Sequence, residues 1–190
     1  MKRPRKQDRP TAEKIIDAAT TLFYSRGLKA VTLDEVAANA DVTKRTLYYH
    51  FPSKDDLVIA YMRRWQTKTA TQLANNNEGG IKTVLAAFRQ LEKEISTKSF
   101  RGCPMVNAVA EINDRSHAAT KIAMDYKEAR RAWFEKLLRE DHVPQAGKRS
   151  KQVLTIWEGA MVRALMTGDA KAVAEAYDAV VALLEAANND

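Results

Sequence analysis

Between Thr43 and His50 the sequence sets Lys44, Arg45, Thr46, Tyr48, Tyr49 and His50 around one apolar residue, Leu47. Cations, hydroxyls and phenols crowded onto one short stretch are the side chains that meet a polyanion. A helix fits the major groove of B-form DNA, where residues near its N-terminus touch base edges while free amides and the helix dipole favour phosphate. Leu47 and Phe51, four apart, share a face and are expected to dock this helix on Phe23, Leu33 and Val36, leaving the other side chains outward. The dipole disfavours positive charge at a helix start. Lys44 and Arg45 therefore read either as solvated cations or as partners of phosphate and guanine, with Arg45 the candidate base reader. Adjacent tyrosines cannot both be buried on a short helix, so Tyr48 or Tyr49 either packs on the surface or meets a phosphate or a thymine methyl. His50 caps, packs or touches DNA.

The elements that must position this stretch announce themselves by local signals. Thr11 is expected to cap a first helix with Ile15, Ala19, Leu22 and Phe23 on one face, ended by Gly27. Thr32 and Glu35 have capping-box spacing and open a second helix; Ala40, Asp41 and Val42 make a tight turn; Thr43 caps the third helix, which Pro52 stops. Ser53 with Asp56 opens a fourth, longer helix, and further helices are expected over 81–95, 104–112, 116–140, 148–166 and 170–187. No run alternates apolar and polar residues, so the fold class is all-α, with about nine helices. Domains are expected over 1–52, a helix-turn-helix module led by a basic arm at 1–10, and over 53–190, a larger helical part.

The net charge of +7 is unevenly placed: residues 1–65 hold 13 Lys or Arg against 8 Asp or Glu. A basic end suits a nucleic-acid surface, because cations near phosphates release condensed counterions. Lys2, Arg3, Arg5, Lys6 and Arg9 read either as a solubilising tail or as an arm following the minor groove. The run from Thr11 through Leu57, above all VTKRTLYYHFPSKDDL at 42–57, resembles the tetracycline-repressor (TetR) family of regulators. The resemblance implies three DNA-binding helices, a fourth linking helix, and a C-terminal domain with an effector pocket and a dimer face. It also matches Thr43, Lys44, Arg45, Thr46, Tyr48, Tyr49 and His50 to the recognition helix, and Lys54 to a phosphate-contacting lysine. Asp41 stands where that family usually has glycine, and aspartate tolerates the left-handed backbone the turn needs.

Beyond the fourth helix, apolar stripes have two readings. Trp157, Met161 and Ala164 on the eighth helix and Tyr177, Val181 and Leu184 on the ninth either pack within one subunit or form a four-helix homodimer face, as the resemblance implies. A dimer would set two recognition helices roughly 34 to 36 Å apart on a palindromic operator. An effector pocket for an apolar or aromatic molecule is expected among Met62, Trp65, Phe88, Cys103, Met105, Met124, Phe134 and Trp157, with Asn107 or Glu111 as polar handles. Cys103, in FRGCPMVNAVAE at 100–111, is either a reactive thiol near a helix start or a small buried residue.

Catalysis finds little support. His50, His117 and His142 lack metal-ligand spacing, no glycine loop suits phosphate, Cys103 has no assignable base, and no metal or cofactor is implied. No apolar run approaches the ~20 residues of a membrane span and no leader is visible, so a cytoplasmic protein is expected. The function these residues suggest is a ligand-responsive repressor. The rival is a DNA-binding protein of the same fold that answers to a protein partner or to Cys103 oxidation.

Overall fold

A proline with extended backbone starts the first helix. Pro10 holds φ −52° and ψ 142°, and its carbonyl accepts the N–H groups of Glu13 and Lys14. The cap expected from Thr11 therefore falls one residue earlier, and Thr11 is the first helical residue, with no side-chain cap at Pro10. The computed structural model describes residues 10–75, 79–97 and 99–186. Lys2, Arg3, Arg5, Lys6 and Arg9 lie outside the described residues.

Nine helices occur among the described residues, with no strand: α1 (Thr11–Arg26), α2 (Leu33–Asn39), α3 (Lys44–His50), α4 (Lys54–Asn75), α5 (Gly80–Ile95), α6 (Pro104–Ile112), α7 (Ala118–Glu140), α8 (Ala146–Thr167) and α9 (Lys171–Ala186). The all-α expectation stands. The start expected at Ser116 moves to Ala118, because Asp114 takes both the N–H and the hydroxyl of Ser116 into its own turn.

The chain divides into two compact units at different places from the cut expected at 52/53. One comprises 1–68 and 104–123, the other 69–103 and 124–190, so the boundaries fall inside α4, just before α6 and inside α7. In the first unit α1, α2 and α3 pack pairwise over Ile15, Ala19, Phe23, Val36 and Leu47, all buried. Phe23 meets Tyr61 of α4 edge to face at 5.6 Å, and Arg64 of α4 pairs with Glu13 and Asp17 of α1. Glu111 of α6 accepts the backbone N–H of Lys29 at 2.8 Å, bracing the loop after α1. Gly27 there has φ 90°, a conformation that favours glycine, and an added Cβ would stand 2.8 Å from Glu111 Oε1 and displace that carboxylate.

In the second unit α8 packs on α9 and both meet α5. Phe88, Phe134 and Trp157 form its aromatic centre, with centroids 5.0 Å apart for Phe88 and Trp157 and 6.0 Å for Phe134 and Trp157. Arg131 ties α7 to α8 by bonding Glu128, Glu135 and Ser150.

Glu35 closes the box at the start of α2. Its carboxylate accepts the Thr32 N–H at 2.8 Å, pairs with Arg26, and takes the Thr32 hydroxyl, and these bonds in that order hold its pKa down to about 2 from the usual 4.5. A carboxyl whose folded value is depressed stabilises the fold above its unfolded value and loses that contribution as pH falls through the folded one. Glu35→Gln should therefore lower the melting temperature at neutral pH, with the deficit shrinking between pH 4.5 and about 2. Thermal melts of both proteins across that range check it; a deficit constant with pH would remove the charge from the account.

Candidate functional site

Thr43 opens α3 with φ −73° and ψ 153°, its hydroxyl accepting the Thr46 N–H at 3.1 Å. The Thr43 and Thr46 hydroxyls lie 2.8 Å apart and share a hydrogen bond, so Thr46 is half-buried in its own cap. The turn before it depends on Asp41 at φ 55°, the left-handed conformation expected there, with Val42 donating to the Ala37 carbonyl at 3.0 Å. α3 has seven residues, too few to hold together alone, so its anchor matters. Leu47 is wholly buried and Phe51 is buried just after it.

With that face inward, Lys44, Arg45, Tyr48 and Tyr49 are exposed, Tyr49 at 83% and Tyr48 at 42%. Arg45 forms no hydrogen bond or ion pair among the described residues. Lys44 does: its Nζ stands 2.8 Å from Asp34 Oδ1, and this hydrogen bond raises its pKa. His50 is half-buried with the Tyr49 ring edge-on at 5.2 Å, and Lys54 is half-buried in the first turn of α4. One surface thus collects a free guanidinium, a paired ammonium, two phenols and an imidazole. Such a surface can meet phosphates and base edges. Sequence reasoning missed Asp34, since nothing local marks an acid that will face a cation ten positions on.

The expected pocket residues are divided between the two units. Met62, Phe88 and Met105 are wholly buried, Cys103 is buried, Met124 is exposed, and Trp65 and Asn107 are half-buried within the first unit. Of the residues expected there, Trp157 alone borders the cavity of about 520 Å³ in the second unit. Its walls are mixed, with Trp133 beside the polar Gln72, Gln90, Glu94 and Arg130. Glu111, weighed as a polar handle, is engaged with the Lys29 backbone in the other unit. Cys103 does have a charged neighbour in Lys127, whose pKa burial lowers but Cys103 and the Glu158 carboxylate at 2.9 Å raise, for a net increase.

The residues expected at a dimer face also separate. Trp157, Ala164 and Leu184 are buried within their own unit, which is where their stripe is consumed, while Met161, Tyr177 and Val181 are half-buried. The exposed apolar side chains of α8 are instead Val162, Leu165 and Met166.

Truncating the anchor of α3 should be costly: Leu47→Ala is expected to lose about 2–5 kcal/mol, as emptied core positions do. Chemical denaturation measures it, and a loss under about 1 kcal/mol would mean that Leu47 does not hold α3 in place.

Comparison with known proteins places these helices. A family model described as bacterial regulatory proteins, tetR family, matches residues 15–61, covering α1 to α3 and the start of α4. A negative transcriptional regulator of the icaADBC biofilm operon of Staphylococcus aureus is 47% identical over 45 residues, 24% of each chain, so the match spans about a quarter of that relative. A helix-turn-helix-type transcriptional regulator of Bacillus subtilis, YvkB, is 26% identical over 171 residues, 85% of this chain and 86% of that one. The crystal structure of a TetR-family transcriptional regulator from Streptomyces coelicolor superposes with a TM-score of 0.83 at 26% identity, covering 93% of this chain and 95% of that one. Helix order and the capped seven-residue α3 agree with these similarities: residues 15–61 match the tetR family model, and the chain shares the fold of the TetR-family regulator from Streptomyces coelicolor.

Proposed function

We propose that the protein is a ligand-responsive repressor that binds a palindromic DNA operator as a homodimer, each α3 lying in the major groove. The observation that carries this is the outward display of Arg45, Tyr48 and Tyr49 around the buried Leu47. Arg45 reads a base edge, its guanidinium fork suiting guanine O6 and N7, and Lys44, Tyr48, Tyr49 and Lys54 meet phosphates or a thymine methyl. Thr43 and Thr46 offer amides and hydroxyls at the helix start, and His50 supports Tyr49.

The dimer face consists of Val162, Leu165 and Met166 of α8 rather than the consumed stripe of Trp157, Ala164 and Leu184. Gly159, whose absent side chain faces open space one turn before Val162, permits close approach. A cavity of about 520 Å³ favours a small-molecule effector over a protein partner, and the burial of Cys103 argues against ready oxidation of its thiol. Release then follows from differential affinity: an effector that prefers the state with mis-spaced α3 helices lowers DNA affinity by that preference. α4 carries Lys54 at one end and Gln72, in the cavity wall, near the other, which makes it the transmitter.

Duplexes selected from a random pool test the groove contact. Arg45→Ala should relax preference at one base position by about 1–3 kcal/mol, whereas Lys54→Ala should weaken all duplexes alike and reduce the salt slope by about 1. Full base preference retained by Arg45→Ala would remove Arg45 from the reading role. For the dimer, Val162→Glu with Met166→Glu should give a monomer by light scattering and lose about a hundredfold or more in operator affinity through lost avidity. A variant that stayed dimeric would place the interface elsewhere.

A further inference from the structure

We infer that the cavity of the second unit takes a planar aromatic carboxylate, held by Arg130. This deepens the ligand-responsive reading above and rests on it. The cavity is large enough at about 520 Å³, and its wall carries two indoles, Trp133 and Trp157, with one guanidinium between α5 and α8 side chains. Trp133 is fixed as a flat wall because its indole N–H donates to the Leu73 carbonyl at 3.0 Å. Trp157 is held by edge contacts to Phe88 and Phe134.

Arg130 differs from the other cations of its helix. From Met124 to Glu140, Lys127 pairs with Glu158, Arg131 with Glu128 and Glu135, Lys136 with Glu140, and Arg139 with Glu135. Arg130 has no carboxylate partner and no hydrogen bond among the described residues. Its guanidinium lies 4.8 Å from the Trp157 ring centroid and 6.0 Å from that of Tyr126. Contact with a ring face does not use the N–H donors of a guanidinium, which leaves them available for two parallel bonds to a carboxylate.

Neighbouring acids do not cancel this charge. Glu158, next to Trp157 in sequence, is occupied by Lys127 at 2.9 Å. Glu94, in the same cavity wall, is exposed and accepts the Gln90 amide at 3.3 Å. A cationic ligand would meet an unneutralised guanidinium at close range. A neutral ligand would leave its donors without a charged acceptor. A purely apolar molecule fits less well, because the bulky apolar residues fill the core and the polar Gln72 and Gln90 border the cavity. A ring against Trp133 with its carboxylate on Arg130 meets both surfaces.

Calorimetric titration of the full chain with 2-naphthoate, 2-naphthamide and 2-naphthylmethylammonium tests this, since the three share a ring and differ in charge. Naphthoate should bind about tenfold or more tighter than the amide, and the ammonium weakest. Arg130→Gln should bring naphthoate and amide within about twofold, and Arg130→Lys, which keeps charge but not the fork, should retain part of the difference. Melting temperature shows whether the Gln variant folds; if it does not, the Lys variant and the wild-type ranking carry the test. Equal binding of acid and amide, a preference for the ammonium, no binding by any probe, or a ratio that survives Arg130→Gln overturns the assignment. The selected DNA duplex separates the two readings. Naphthoate bound through Arg130 without altered duplex affinity leaves the site standing and sinks ligand-controlled release. Duplex release by the amide or ammonium and not by naphthoate does the reverse.

Discussion

The insertion of Leu47 into the space between α1 and α2 fixes which way α3 faces, and the presentation of every polar group on that helix depends on it. At about 100° per residue, burying one position of a short helix assigns all the others. Seven residues cannot sustain a helix in water, so α3 exists through what surrounds it: the Thr43 cap at one end, the buried Phe51 at the other, and α2 beneath, itself closed by Thr32 and Glu35. A site for a polyanion is thereby built from apolar burial and capping. At its N-terminus the cations work against the dipole, and of the two only Lys44 has an acidic partner, Asp34 of α2.

What the sequence revealed of this arrangement is local. Thr32 with Glu35, Thr43 with Thr46 and Ser53 with Asp56 each bond within three positions, and the chain shows all three where capping chemistry says they belong. Gly168 and Asp169 mark the break between α8 and α9 in the same way, Asp169 accepting the Lys171 N–H at 2.8 Å. The left-handed Asp41 was legible for the same reason: the preference belongs to the residue type.

What escaped sequence reasoning is non-local. Glu111 braces the backbone of Lys29 across 82 positions, and no spacing rule reaches so far. The stripe on α8 shows that one face is apolar without saying whether its own subunit or another covers it. Trp157 and Ala164 went inward, and Val162, Leu165 and Met166 stayed exposed. Cavity walls are non-local in the same way. Large flexible apolar side chains such as Met62 and Met105 gain most by close packing, so they fill the core, and the space left over is bordered by residues that tolerate water.

Charge shows the same division between structure and site. Arg64 joins α4 to α1, Arg131 joins α7 to α8, and buried Arg149 donates to the carbonyls of Pro144 and Leu183. Each is consumed by the fold, and sequence position gave no warning of it. Arg45 and Arg130 are the contrast, one exposed on a short helix and one stacked on an indole, neither with an acidic partner among the described residues. A guanidinium left unpaired keeps all its N–H donors, and for a side chain this costly to order, holding it unpaired yet oriented makes sense where an anion arrives from outside. Nucleic-acid phosphates or guanine meet that description at Arg45, and a carboxylate meets it at Arg130. Acids that touch neither site hold Arg26, Arg64, Arg131, Arg139 and Arg163, and that pairing separates those five from Arg45 and Arg130.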